Sequence, residues 1–484
     1  MKRRLFLLAA TFLLLLFTGA ALRRTSSVDA VSGASKLKKL RDAVMTNAAF
    51  SGRETGLKGT ELKIATPSFP PDLDPAHGNG MYTLACGVGE TLFAFDGVSV
   101  QPWLAQSWEN LDALTWKILL KDGVKFQNGK SMTAQSVGES LERAVSLNTA
   151  AAELLPLDSF RAEGLTLTLR TSEPCPNLVY MLANPAFVIV AAKSDQIKNF
   201  SYFPVCTGPF VPVSFVGQLE MILRRFDTYH GGMPKLEGAD IRFVSGTDKI
   251  AQKLENRTVD AAVDIPREDS AVFAKSGART ETVHTNSVMF LMMNTENPFL
   301  SDAAVRRTVV QAVEQKQADG GRYTGKKLTF RLALPAGDAE LLTCAETVRT
   351  QLKKAGIDVT IRIYSDVFFM SRARYGKFDL LLTSAETAAY GDAQDFFESY
   401  VSSGGKFNFG HYRNGQVDAE LRELKQEFDF DRRILLTGRI RSQIAEDAAF
   451  VFLGRRQTDI VTSKNVSGLS DGSGGYRLTA DTSK

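Results

Sequence analysis

The amino-acid sequence predicts an α/β protein built from more than one domain. At 484 residues the chain is longer than an ordinary single domain, and its 44% hydrophobic and 23% charged residues are typical of a globular protein. Strand-like and helix-like segments alternate along it. The apolar segment Ala239–Phe243 is followed by the helical pattern Lys249–Asn256 and then by the apolar segment Val259–Val263. This strand–helix–strand order favours parallel pairing within mixed sheets.

The first residues have the pattern of an export signal. A basic start, Lys2–Arg4, precedes the apolar run Leu5–Phe17, and small residues follow that run. Residues 1–22 are therefore either a cleaved signal peptide or an uncleaved membrane anchor, because the apolar run is at the lower limit for crossing a bilayer. No Cys follows the small residues, so a lipid anchor is not expected. The protein is expected outside the cytoplasm, in the periplasm or at the cell surface.

Positive charge is concentrated near the N-terminus. Residues 1–50 contain nine Lys or Arg and two Asp or Glu, whereas the whole chain contains 58 and 54, so the remainder is slightly acidic. The net charge of +4 consequently gives no reason to expect a nucleic-acid partner.

The segment 23–55 contains a short motif of small residues. From Val28 to Ser35 it is Val-Asp-Ala-Val-Ser-Gly-Ala-Ser, and this order resembles the flavinylation site of FMN-binding domains. The resemblance implies a covalent FMN on the hydroxyl of Ser35, attached by a flavin transferase. A helix beginning after Ser35 would favour a phosphate at its N-terminus. The alternative is that the segment is a linker that carries no cofactor.

The most informative stretch is Gln101–Ala144. Apolar and polar residues alternate over 114–120, as in a half-buried strand, and Val124–Phe126 is predicted as a short second strand. Asn128-Gly129 then predicts a turn, and Thr133 stands where a helix N-cap belongs. With the Pro-Trp-Leu-Ala-Gln-Ser-Trp segment near its start, this series resembles the signature of the family 5 extracytoplasmic solute-binding proteins of ABC transporters, the peptide- and nickel-binding type.

That resemblance implies a two-lobed periplasmic-binding-protein fold, class II of the large peptide-binding type, with mixed sheets and an interlobe cleft. It places the first lobe at 56–285, the second lobe at 286–451, and a return to the first lobe with a C-terminal tail at 452–484. The strand at Phe450–Leu453 is expected to bring the chain back to the first lobe. The second lobe is expected to be trimmed, because a short polar connector, 316–326, replaces several tens of residues in relatives.

The resemblance also implies where a ligand is held. Tyr82, in the first lobe, is a candidate contact, and a core aromatic is the alternative. In the second lobe the loop from Glu386 to Asp395 contains Tyr390 and Asp392. Asp392 matches the acidic residue that meets the α-amino group of the peptide in peptide binders, through charge-assisted hydrogen bonds. The alternative is that Asp392 caps the helix that follows, and Glu386 stands where the family often has a Trp.

An enzyme is not expected, because the sequence contains no nucleophile–base–acid set, Gly-rich phosphate loop or zinc motif. Its four histidines are not spaced as ligands of a protein metal site. A single His that caps a nickel held by a metallophore stays open, and His411 occupies a usual Gly position of the family. Cys175 and Cys206 either form a disulfide or are free thiols.

Three functions remain open from the sequence. The first is a monomeric solute receptor that captures a short peptide, or else a nickel chelate, between its lobes and docks on a membrane permease. The second is a flavinylated extracytoplasmic redox protein on the same scaffold. The third is a degenerate receptor that acts as a surface interaction protein.

Overall fold

The structure, a computed structural model, describes the backbone of Met45–Thr46 and, in full, residues 60–97, 99–194, 198–314, 327–387, 391–470 and 474–484. All of these residues belong to one unit, Met45–Lys484. The predicted export signal, Ser35, the 316–326 connector and Tyr390 lie outside the described residues. Within the described part of the chain, no helix is long and apolar enough to cross a membrane.

Strands dominate the part of the chain before residue 279. They are β1 (Met45–Thr46), β2 (Glu61–Thr66), β3 (Phe93–Phe95), β4 (Val100–Pro102), β5 (Ala105–Asp112), β6 (Thr115–Leu120), β7 (Leu157–Glu163), β8 (Thr166–Thr171), β9 (Phe210–Val216), β10 (Glu220–Arg225), β11 (Gly238–Phe243) and β12 (Ala261–Pro266). The helices of this part are α1 (Gly80–Ala85), α2 (Ala134–Leu147), α3 (Thr149–Leu154), α4 (Leu178–Met181) and α5 (Thr247–Glu255).

Strands and helices alternate in the rest of the chain. In order they are β13 (Arg279–Met293), α6 (Ala303–Glu314), β14 (Leu328–Pro335), α7 (Ala339–Lys354), β15 (Ile357–Tyr364), α8 (Asp366–Arg374), β16 (Leu380–Glu386), α9 (Gln394–Phe396), α10 (Gly415–Leu424), α11 (Phe430–Asp447) and β17 (Phe450–Thr462).

Among the described residues, eleven strands form one mixed sheet in the order β1-β9-β10-β11-β2-β12-β17-β13-β16-β14-β15. β2 lies parallel to both β11 and β12, and β14 lies parallel to both β15 and β16. The segments β11, α5 and β12 correspond to the strand–helix–strand order seen in the sequence, and a helical crossover is what parallel strands require. The predicted α/β class with mixed sheets is confirmed.

Two lobes are defined by separate hydrophobic cores. The cores of the first lobe combine residues before 284 with the C-terminal segment, as in the cluster that contains Ile64, Phe210 and Ile460. The cores of the second lobe lie on the two faces of its part of the sheet and use only residues 289–451, with Phe290 on one face and Leu291 on the other. Because each lobe buries its own apolar surface, the two are able to move against each other.

The Gln101–Ala144 stretch belongs to a satellite unit of the first lobe. Its antiparallel sheet has the order β5-β6-β8-β7, and α2 buries Val137 and Leu141 in the same core as Trp116. As predicted, Thr133 caps α2: its Oγ1 accepts a hydrogen bond of 3.2 Å from the backbone N–H of Ser136.

The predicted short strand at Val124–Phe126 is reduced to a single antiparallel bridge between Lys125 and Ser131. The backbone N–H of Phe126 donates to the carbonyl of Lys130, and the N–H of Met132 donates to the carbonyl of Val124. Val124 and Phe126 are both buried, so these apolar residues anchor a loop in the core, and their burial produced the strand-like pattern.

Two long strands, β13 and β17, connect the lobes. They pair through Val283 and Thr458 in the first lobe and through Met292 and Phe450 in the second, with register shifts between these points that leave residues 285–287 bulged. The predicted return of the chain at Phe450–Leu453 is therefore a few residues early, because the start of β17 still pairs within the second lobe. The crossing falls at the bulge, where the ladder is interrupted and the strands can bend.

All four cysteines are free, so Cys175 and Cys206 do not form a disulfide and the free-thiol alternative holds. Burial raises the pKa of the Cys175 thiol to about 12 and also raises the pKa of Cys206. Both thiols are therefore protonated and unreactive at neutral pH while the protein stays folded.

Candidate functional site

A cavity of about 430 Å³ lies between the two lobes, beside the bulge of β13. The first lobe contributes Ser68, α1 and the C-terminal segment 474–477 to the cavity wall. Residues 285–287, the bulge of β13 where the lobes are connected, form another part of the wall, and Glu386 faces the cavity from the second lobe. Small-molecule sites in proteins typically occupy about 300–1,000 Å³. The interlobe cleft expected from the sequence is thus present, with a volume suited to a small solute.

Tyr82 lies on α1 in the cavity wall, and its hydroxyl is 2.8 Å from the Oγ of Ser68. Helix α1 is held tightly against the first lobe, because a Cβ on Gly80 would lie 2.0 Å from the carbonyl oxygen of Pro185. The Tyr82 ring also packs against the first-lobe core. The two sequence interpretations, ligand contact and core aromatic, therefore describe two sides of the same ring.

Glu386 is the last residue of β16 and pairs with Ser287 of the β13 bulge. This pairing carries its side chain from the second lobe to the cavity that Tyr82 lines from the first. Desolvation by the surrounding protein raises the pKa of Glu386. No side chain or backbone group of the described residues forms a hydrogen bond or ion pair with its carboxylate, which leaves it available to a ligand.

Asp264, a residue that sequence reasoning missed, also lines the cavity, from the first lobe. It lies where the register of β12 against β17 shifts between Ala262 and Ile265, and its φ of 56° is in the left-handed region. Burial raises its pKa to about 6, and Thr66 Oγ1 donates to it over 3.4 Å. The only signal in the sequence is a carboxylate inside the apolar strand Ala-Ala-Val-Asp-Ile-Pro.

Arg477 is the single cationic side chain in the cavity wall of the described residues. Its guanidinium carbon is 4.6 Å from the centroid of the Trp103 ring, a cation–π arrangement that fixes its position. Next to it, the hydroxyl of Tyr476 is 3.6 Å from the thiol of Cys86 at the base of α1. The cavity therefore combines one arginine with two carboxylates that carry no basic partner from the described residues.

Asp392 does not line this cavity. One of its carboxylate oxygens accepts a hydrogen bond of 2.9 Å from the backbone N–H of Gln394, and the other lies 2.6 Å from the guanidinium of Arg433. Both side chains of this ion pair are buried. The alternative interpretation, in which Asp392 caps the following helix, describes its contacts, and the ion pair with Arg433 was not anticipated.

Asp395 also lies away from the cavity. Its Oδ2 is buried and has no hydrogen-bond partner among the described residues. Burial, together with the negative charges of Asp392 and Glu398, raises the pKa of Asp395 to about 7. Tyr390, the remaining predicted contact of this loop, lies outside the described residues.

The lobes also touch each other at places that do not involve β13 or β17. Gly391, with a φ of 98°, lies so close to the first lobe that a Cβ on it would be 3.2 Å from the Phe95 ring. The rings of Trp116 and Phe428 have centroids 6.0 Å apart, and Lys406 forms an ion pair with Glu153. These contacts hold the lobes together across the cleft, as in a closed receptor.

His411 is not in the cavity wall. Its Nε2 is 3.8 Å from a carboxylate oxygen of Glu296, and its backbone adopts a φ of 55°. Within the described ranges, no group of three His, Cys, Asp or Glu side chains is arranged to hold a metal ion.

Comparison with protein families places this geometry in context. Residues 99–318 match the family model described as bacterial extracellular solute-binding proteins, family 5 Middle. Residues 286–396 match a domain of unknown function.

Known proteins resemble most of the chain. It is 26% identical over 417 residues to the nickel-binding protein NikA of Staphylococcus aureus (strain NCTC 8325 / PS 47). The aligned region covers 78% of this chain and 84% of that protein. It is also 22% identical over 468 residues to the probable D,D-dipeptide-binding periplasmic protein DdpA of Escherichia coli (strain K12). Here the aligned region covers 84% of this chain and 90% of that protein.

A solved structure is similar as well. The nickel ABC transporter from Bacillus halodurans has a TM-score of 0.76 and 25% sequence identity, over 88% of this chain and 100% of that one. The chain has the fold of the family 5 solute-binding proteins. The family 5 match over 99–318 includes the Gln101–Ala144 stretch that carried the sequence resemblance, and the two-lobed α/β class is confirmed.

Proposed function

We propose that this chain is the extracytoplasmic solute-binding protein of an ABC transporter. It captures a short peptide, or a related small solute, between its two lobes and delivers it to a membrane permease. The observation that carries the proposal is the cavity of about 430 Å³ whose wall contains Tyr82 from one lobe and Glu386 from the other. A ligand in this cavity touches both lobes, so its binding energy favours the closed form.

The hinge follows from the two connecting strands. The bulge at 285–287 interrupts the pairing of β13 with β17, while Arg456, opposite that bulge, is held by two carboxylates of the second lobe, Asp338 and Glu340. Arg456 therefore moves with the second lobe, and bending is confined to a few residues of each strand. A permease that binds the closed pair of lobes therefore distinguishes the liganded receptor from the empty one.

A nickel chelate is the second candidate ligand. The nickel-binding names of a relative and of a structural neighbour favour it, and the dipeptide-binding name of another relative favours a peptide. A chelated metal brings its own ligands, and Glu386 or Asp264 would then contact the complex. The family also supports placement outside the cytoplasm, a permease partner and the absence of enzymatic activity.

Covalent FMN on Ser35, attached by a flavin transferase, stays a prediction from the sequence motif. Ser35 lies outside the described residues. Flavinylation at Ser35 is compatible with solute binding, because the motif precedes the two folded lobes in the sequence.

Titration calorimetry with short peptides and with a nickel–histidine complex tests the proposed function. Binding of one class, weakened by Tyr82→Trp because the larger ring fills the cavity, would support it. The control is Trp108→Phe, which changes an exposed aromatic residue of β5 that does not line the cavity. A wild-type protein that bound no probe and carried no copurified small molecule would contradict the proposal.

A further inference from the structure

We infer that the cavity selects a ligand with two cationic groups, such as a short peptide with a basic side chain, and that Asp264 and Glu386 bind those groups. This inference rests on the proposed function and names the ligand class of the same site. It differs from the expectation that Asp392 accepts the ammonium group of a peptide.

The first step is that the carboxylate of Asp392 already has partners within the second lobe. Its carboxylate is used by the backbone of Gln394 and by Arg433, and Arg433 also donates to the carbonyl of Leu424. An ammonium group would have to displace a buried guanidinium whose other hydrogen bonds hold it in place. Breaking a buried ion pair is strongly unfavourable, so the charge recognition has to come from other groups.

The second step is the charge balance of the cavity wall. Asp264 and Glu386 are carboxylates with no basic partner among the described residues, whereas Arg477 is the one cation. A zwitterionic peptide presents only one ammonium group, which pairs with one of the two wall carboxylates. The second wall carboxylate then remains unpaired, and a basic side chain on the ligand supplies the missing cation.

The third step is the location of the two carboxylates on opposite lobes. Asp264 belongs to β12 of the first lobe, and Glu386 ends β16 of the second. Neither contributes to the raised pKa of the other, so they are separate acceptors and not one shared-proton pair. Closing the lobes without a ligand leaves the unpaired carboxylate of Asp264 largely removed from water, which is unfavourable. A ligand with two cationic groups offsets this cost at Asp264 and pairs with Glu386 on the other lobe, and so couples its charge to closure.

Three dipeptides of similar size test the inference by calorimetry at neutral pH: alanyl-lysine, alanyl-methionine and alanyl-glutamate. Wild-type protein is expected to bind alanyl-lysine at least about tenfold more tightly than alanyl-methionine, since a charge-assisted hydrogen bond contributes at least that factor. In the double variant Asp264→Asn/Glu386→Gln the ratio of the two affinities should fall to about one, because both isosteric changes remove charge and keep shape. Glu296→Gln, an exposed second-lobe carboxylate outside the cavity, is the matched control and should keep the wild-type ratio.

The outcomes distinguish failure of the charge inference from failure of the proposed solute-binding function. If the wild-type protein binds all three dipeptides equally, or the double variant keeps its preference for lysine, the charge inference is overturned while the solute-binding function stands. Binding of a nickel–histidine complex alone would overturn the inference and support the nickel candidate. If no dipeptide or nickel–histidine complex binds and no small molecule copurifies, the proposed function fails with it.

Discussion

The carboxylate of Asp392 lies 2.6 Å from the guanidinium of Arg433, with both side chains buried in the second lobe. Arg433 projects from α11, and its Nη1 donates to the carbonyls of Leu424 and Glu427. The pair therefore ties the loop after β16 to the long helix that precedes β17. The acidic residue that the family resemblance assigned to the ligand has a structural partner in this chain.

Asp392→Ala should destabilise the protein by about 3–5 kcal/mol, because it leaves the buried Arg433 guanidinium without a counter-charge. Urea unfolding measures the change. The double variant Asp392→Ala/Arg433→Met should recover much of the loss, since it removes both charges. A folded Asp392→Ala protein with normal stability and no ligand affinity would restore Asp392 as the ammonium acceptor.

The difference between sequence and structure is clearest at these residues. Thr133, Trp116 and the turns around them follow local rules of capping and alternation, so the sequence predicted their roles. Asp392 was assigned to the ligand from the pattern of its loop, but its partner Arg433 stands 41 residues later on another helix, and tertiary pairing of that kind has no local signal. Asp264 was missed because a bulge in β12, set by its register with β17, turns its side chain to the cavity.

Asp264→Asn should stabilise the protein at neutral pH. The folded pKa of Asp264 is raised from 3.8 to about 6, so between these values the folded state binds more protons than the unfolded state. Its stability contribution is complete below the unfolded pKa and is lost as the pH rises through about 6. Asn cannot ionise and also tolerates the left-handed φ.

The variant should therefore match the wild type near pH 4 and exceed it by about 1–3 kcal/mol near pH 7.5. Thermal unfolding across this range measures the difference. A constant difference at every pH would show that ionisation of Asp264 is not its cause.

Gly391→Ala should open the lobes. Gly391 has a φ of 98°, and a Cβ there would lie 3.2 Å from the Phe95 ring of the first lobe. The substitution thus adds backbone strain and pushes against the opposite lobe, so the closed form loses stability. Small-angle X-ray scattering should report a larger radius of gyration, and ligand affinity should fall.

Gly404→Ala is the matched control, because its added Cβ would meet nothing within 4 Å and its φ is not in the left-handed region. The control should leave both the scattering curve and the affinity unchanged. An unchanged radius for Gly391→Ala would mean that the contact with Phe95 does not hold the lobes together.

Co-expression with a flavin transferase tests the motif at Ser35. Intact-mass measurement should show an increase equal to FMN less one water, and Ser35→Ala should abolish it. Ser32→Ala, a hydroxyl three positions earlier in the same motif, is the control and should keep the added mass. An unshifted wild-type mass in the presence of an active transferase would remove the flavin prediction.

Native mass spectrometry of protein purified from its own host tests the central claim, capture of a solute between Tyr82 and Glu386, most directly. The account predicts one small, non-covalent adduct of peptide size on the wild-type protein and its loss from the cavity-filling variant Tyr82→Trp. A wild-type protein without any adduct, or an adduct that Tyr82→Trp retains in full, would contradict it.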